Sequence, residues 1–83
     1  RRAIEIRPRA KYYNDLGAAF FQSNLPLEAE KAYQKSVELD SDFAKAHWNL
    51  ARLLSLRGDH ERAKSHLFRA LYLDPSLRRQ ISG

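Results

Sequence analysis

The sequence predicts an all-α fold, a solenoid of helix–turn–helix repeats, on three observations. The stretch from Tyr13 to Pro75 repeats itself: 34 residues on, Leu16 becomes Leu50, Gly17 Ala51, Phe20 Leu54, Ala29 Ala63, Tyr33 Leu67, Ser36 Ala70 and Ser41 Pro75. A period of that length marks stacked helix pairs, each burying a face on its neighbour. Within the first copy, Tyr13, Leu16, Gly17 and Phe20 fall at i, i+3, i+4 and i+7, one stripe of a helix. Turn formers separate the periodic segments at Ser23-Asn24, Asp40-Ser41-Asp42, Arg57-Gly58-Asp59 and Asp74-Pro75.

Taken in order, Ala3 to Pro8 parallels Ala70 to Pro75 and reads as the end of a preceding helix, followed by a shortened connection. With no methionine even at position 1, the sequence is expected to be cut from a longer protein. Ala10 to Gln22 is the first full helix. Gly17 in its interior costs about 1 kcal/mol against alanine, which close approach of the partner helix, with Ala29 facing Gly17, is expected to offset. Pro26 suits the first turn of the second helix, where its missing N–H costs nothing. Glu28 and Glu30 suit the positive end of that helix's dipole. The helix runs to about Leu39 and should bury Ala29, Ala32, Tyr33, Ser36 and Val37. Asp40 and Asp42 offer N-caps for a third helix, Phe43 to Leu56. Gly58 terminates it and Asp59 caps the fourth, His60 to Leu73, which should bury Ala63, Leu67, Ala70 and Leu71. Ser76 is expected to cap a fifth helix, of which Leu77 to Ile81 remains to cover the last apolar face. The expected divisions are residues 1–8, a preceding helix end; 9–42 and 43–76, two repeats; and 77–83, a partial capping helix.

The pattern Tyr13-x-x-Leu16-Gly17-x-x-Phe20…Ala29-x-x-x-Tyr33, then His47-x-x-Leu50-Ala51-x-x-Leu54…Ala63-x-x-x-Leu67…Pro75, resembles the tetratricopeptide repeat family over nearly the whole chain. The resemblance implies a right-handed α–α superhelix and a protein-interaction role, without naming a partner. Some family members grip a C-terminal carboxylate with lysine, asparagine and arginine spread over three first helices. Asn49 stands at one such asparagine position and Arg79 could replace a lysine. Asn14 and Ala18, however, stand where lysine and asparagine are needed. The other alignment fails too, with Asp15 for asparagine and Asn49 for arginine, so a complete clamp is not expected. Asn49 and Asp15 are likewise too few for the row of asparagines that other members use.

Composition narrows the remaining classes. At 83 residues and 43% hydrophobic, the chain is one domain near the lower end of what buries a core unaided. No apolar run approaches the ~20 residues of a membrane span. Cysteine is absent, which removes disulfides and thiolate chemistry. His47, His60 and His66 have no i, i+4 partner, the glycines are isolated, and no catalytic set is found, so neither enzyme activity nor a metal or cofactor is expected. Arg57-Gly58-Asp59 spells an adhesion tripeptide, but a C-cap and an N-cap account for it. Fifteen Lys and Arg against ten Asp and Glu give +5, concentrated toward the two ends.

A second stripe on the first helix, Lys11, Asn14, Ala18 and Phe21, becomes Lys45, Trp48, Arg52 and Ser55 on adding 34, and Lys45 leads on to Arg79. In such solenoids these positions line the concave face. Lys11, Lys45 and Arg79 are expected to form a basic row, flanking Phe21 and Trp48 as aromatics with one side toward solvent. Aromatics and arginine in a groove are hot-spot types worth ~2 kcal/mol or more each. The plainer reading packs Trp48 on a neighbouring repeat and leaves the lysines solvated. The leading expectation is a groove for an extended or helical peptide of acidic character. Lys11, Lys45, Arg52 and Arg79 would supply charge, Phe21 and Trp48 apolar anchorage, and Asn14 and Asn49 hydrogen bonds. The alternatives are an RNA-binding helical repeat, disfavoured by the small-residue pattern, and an architectural segment self-associating through its incomplete ends.

Overall fold

The structure, a computed structural model, describes residues 2–79, with side chains from residue 9 onward. Four helices follow one another: α1 (Arg2–Gln22), α2 (Pro26–Leu39), α3 (Ala44–Leu56) and α4 (His60–Leu73), then a 3₁₀ turn at Pro75–Leu77. Among the described residues there is no strand. α1 packs on α2 and α3 on α4, while α2 and α3 join the two hairpins. The expected end of the capping stub, up to Ile81, lies outside the described residues.

Turn chemistry repeats with the sequence. Asn24 and Gly58, 34 residues apart, are the positive-φ positions, at 65° and 92°. Each lets the chain reverse through the same closing bonds. Leu25 N–H donates to Phe20 O at 2.9 Å, and Asp59 N–H to Leu54 O at 2.9 Å. These six-to-one bonds satisfy helix-end carbonyls that would otherwise be orphaned. Asp59 caps α4 as expected, accepting from Arg62 N–H at 3.3 Å. The turn between the hairpins uses a different device. Asp40 accepts from Asp42 N–H at 3.1 Å, and its equivalent Asp74 accepts from Ser76 N–H at 3.2 Å. Asp42 and Ser76 are therefore not the caps they were expected to be. The N-cap of α3 is Phe43, with no side-chain capping bond.

The break expected at Pro8 is absent, and α1 runs on through it. At Asp74-Pro75-Ser76 the aspartate folds the chain back, accepting from both the N–H and the hydroxyl of Ser76. Arg7-Pro8-Arg9 has no carboxylate or hydroxyl to do the same. The helix instead accommodates a proline that forgoes one backbone hydrogen bond.

Gly17 is a close-approach site, and the atoms nearest it belong to Tyr33. A Cβ at Gly17 would lie 2.6 Å from Cδ1 of Tyr33, so the phenol ring rests on bare helix backbone. Ser36 adds a buried tie, its hydroxyl donating to Ala10 O at 2.6 Å. The main core joins both hairpins: Ala29, Tyr33 and Val37 of α2 meet Ala46, Leu50, Leu53 and Leu54 of α3 and Ala63 of α4. Fully burying a leucine contributes about 1.5–3 kcal/mol. A second cluster forms around Trp48, Ala70 and Leu77, with Leu67 and Leu71 half-buried beside it. Leu77, 3% exposed, is the residue of the expected stub that packs on this cluster.

Candidate interaction surface

The first helices α1 and α3 lie side by side, and a direct bond links them. Asn49 Nδ2 donates to Asn14 Oδ1 at 2.9 Å. Asn14 is 6% exposed. Its expected role of supplying hydrogen bonds to a groove ligand is therefore corrected, because a buried amide is satisfied within the protein, here by Asn49. Asn49 is half-buried and keeps further donor and acceptor capacity.

Trp48 is corrected as well. At 8% exposure it belongs to the cluster with Ala70 and Leu77 rather than standing as a half-open anchor. Leu77, repeated from Phe43, covers the indole, which the stripe alone did not register.

Phe21, Asn49 and Arg52 do come together. With Tyr33 and Leu53 they line a depression of about 20 Å³, room for one small group. Phe21 is 36% exposed and Arg52 is exposed. Among the described residues Arg52 forms no ion pair. Burial raises the Tyr33 phenol above its ordinary value of 10, while the nearby Arg52 guanidinium pulls it the other way. The hydroxyl is therefore neutral and can donate a hydrogen bond.

Of the three cations expected to form a basic row, Lys11, Lys45 and Arg79, each faces solvent. Lys11 pairs with Asp15 one turn along its own helix, at 2.9 Å. On the outer side, Glu30 of α2 accepts from both Arg57 and Arg62, tying the hairpins together.

A histidine pair is the feature the sequence did not announce. His47 Nε2 lies 2.8 Å from Ser41 O, and the two Nδ1 atoms of His47 and His66 are 3.0 Å apart. A carbonyl only accepts, so a neutral His47 carries its proton on Nε2, and His66 Nδ1–H donates to it. Burial, then His47 and Arg62, hold His66 below its ordinary value. The signal lay in register, not in i, i+4 spacing. His47 repeats Tyr13 and His66 repeats Ala32, positions that face each other across a hairpin. Among the described residues no group of three or more His, Cys, Asp or Glu could hold a metal ion, and no helix is long and apolar enough to cross a membrane.

Known proteins carry similar sequence. The chain is 39% identical over 90% of its length to the human protein O-mannosyl-transferase TMTC3, covering 8% of that protein. It is 36% identical over 86% of its length to the peroxisomal targeting signal receptor of Eremothecium gossypii, covering 13% of it. Human protein O-mannosyl-transferase TMTC2 is 35% identical over 89% of the chain, which covers 9% of it. The chain thus spans about a tenth of the length of these relatives. Tetratricopeptide repeat models match residues 10–43, which take in most of α1 and all of α2, and residues 32–65, which run from within α2 through α3. Repeat period, paired helices and these matches agree: the chain belongs to the tetratricopeptide repeat family.

Proposed function

We propose that this segment is a protein-interaction scaffold that takes a peptide of acidic character across the α1–α3 face, and not an enzyme. The observation that carries the reading is the meeting of Phe21, Asn49 and Arg52 around one depression, from two first helices. Arg52 offers an unpaired guanidinium for a carboxylate, Phe21 an apolar edge, and Asn49 an amide for peptide backbone. Exposed Lys11, Lys45 and Arg79 extend the positive field and speed encounter with an acidic chain. The divisions 9–42 and 43–76 serve as the two repeats in this reading. Tetratricopeptide repeats generally mediate protein–protein interaction, and one relative is by name the receptor of a targeting signal.

The test is calorimetric titration with a panel of acidic synthetic peptides. Arg52→Glu or Phe21→Ala should weaken the best of them at least about ten-fold, with helical content unchanged. Undiminished binding by both variants, or salt-sensitive retention of single-stranded RNA in place of any peptide, would remove this face from the account.

A further inference from the structure

His47 and His66 are a pair of titratable side chains that the α1–α3 face does not use. They stand 19 positions apart on different helices, so no short ligand spacing joins them in the sequence. The fold brings their Nδ1 atoms to 3.0 Å, with the rings close to stacked at 28° and 5.3 Å between centroids. The pair lies between α3, α4 and the turn at Ser41, all within the described residues.

His47 is set up as a ligand. Its Nε2–H donates to Ser41 O at 2.8 Å, which leaves the ring's lone pair on Nδ1. A backbone carbonyl on the far nitrogen is the usual second tie of a metal-ligating imidazole. The ring is buried, at 7% exposed, so packing holds its aim as well. His66 is half-buried. Burial, then His47 and Arg62, hold it below its ordinary value, so it is neutral near pH 7, as a ligand must be. On binding a metal its proton passes from Nδ1 to Nε2, and no net proton is released.

Spacing selects the ion. Two nitrogens about 2 Å from one metal stand about 2.9 Å apart at a right angle and about 3.3 Å apart at the tetrahedral angle. The 3.0 Å observed matches the right-angled edge. Square-planar and tetragonal spheres of nitrogen and oxygen belong to copper(II) and nickel(II), and affinity along the series peaks at copper. A metal so placed lies off the line between the nitrogens. Half-buried His66 is the ring that turns to meet it, while Ser41 O holds His47. Among the described residues no further His, Cys, Asp or Glu makes the pair a group of three, so water completes the sphere. Arg62 stands nearby and repels a cation, but Glu30 and Asp59 both pair with it.

We propose that Nδ1 of His47 and Nδ1 of His66 form a two-nitrogen, readily exchanging site for copper(II) that ties α3 to α4. The i, i+4 spacing that argued against a metal does not bear on ligands drawn from two helices. The site shares no residue with the α1–α3 face, and copper binding here does not depend on a peptide binding there.

The test titrates copper(II) chloride into the chain, acetylated at its N-terminus to remove the competing amine, and follows visible absorbance and amide NMR signals. One equivalent should bind, and its paramagnetic broadening should centre on His47 and His66. His66→Gln, whose folding circular dichroism checks, should weaken binding at least about ten-fold. His60→Gln, at the exposed histidine of the same helix, should leave it unchanged. Broadening centred on His60, binding that His66→Gln leaves intact, or no binding by the unaltered chain would overturn the proposal.

Discussion

In the first hairpin the ring of Tyr33 lies on bare backbone at Gly17, and Ser36 ties α2 to the carbonyl of Ala10. In the second, Ala51, Leu67 and Ala70 stand at those three registers, and a His47–His66 pair supplies the polar tie instead. The register decides where two helices cross, while the volume there is shared between partners: the largest ring sits opposite no side chain, and a smaller leucine stands in register with a methyl. Burial differs too. Leu50 and Leu54 are fully buried because α3 lies between α2 and α4, whereas their equivalents Leu16 and Phe20 are only half-buried.

The sharpest way to break this comparison is at Trp48, the residue of the second hairpin that repeats Asn14. As a core residue, Trp48→Ala should cost about 3–5 kcal/mol, read as a fall in the urea midpoint. A midpoint close to that of the unaltered chain would return Trp48 to the groove role its stripe suggested. Next in size is Gly17→Ala, expected to destabilise by about 1–3 kcal/mol because the added methyl meets the Tyr33 ring. Tyr33→Leu in the same chain should recover part of that loss by reproducing the Ala51–Leu67 pair. A double mutant no better than the sum of the singles would show that the two hairpins do not share this rule.

Helix spans were legible because stripes and turn formers are local. The ends Gln22, Leu39, Leu56 and Leu73 were readable from residues within a few positions of each turn, and so was the buried face of α2. What was not legible depended on the neighbouring chain. Asn14 and Trp48 lie on a stripe that looks open from one helix, and only the pairing of Asn14 with Asn49 and the arrival of Leu77 close it. Pro8 was read by analogy with Pro75, but the aspartate and serine that make the turn at Pro75 have no counterparts beside it. Of the eight residues expected in the groove, Phe21, Asn49 and Arg52 line one depression, but their grouping apart from the other five was not legible, because it depends on how α1 and α3 pack.

The histidine pair offers a smaller test of the second hairpin. His66 is held below its ordinary 6.5, so the unfolded chain takes up that proton first as pH falls. Its contribution to stability is complete above about pH 6.5 and is lost as pH drops through the lower, folded value. Urea midpoints should therefore decline from pH 7.5 to about pH 5, and His66→Gln should flatten part of that slope. An unchanged slope would assign the pH dependence elsewhere. Smallest of all is Lys11→Ala. Its ion pair with Asp15 is 67% and 61% exposed, and its loss should shift stability by no more than about 0.5 kcal/mol.

The reading of the chain as an interaction scaffold is tested most directly by mapping amide chemical shifts of the isotope-labelled chain on addition of the best-binding acidic peptide. Perturbations are expected to concentrate at Phe21, Lys45, Asn49 and Arg52 on the α1–α3 face. Perturbations confined to Lys31, Lys35 and Glu38, on the outer side of α2, would contradict it.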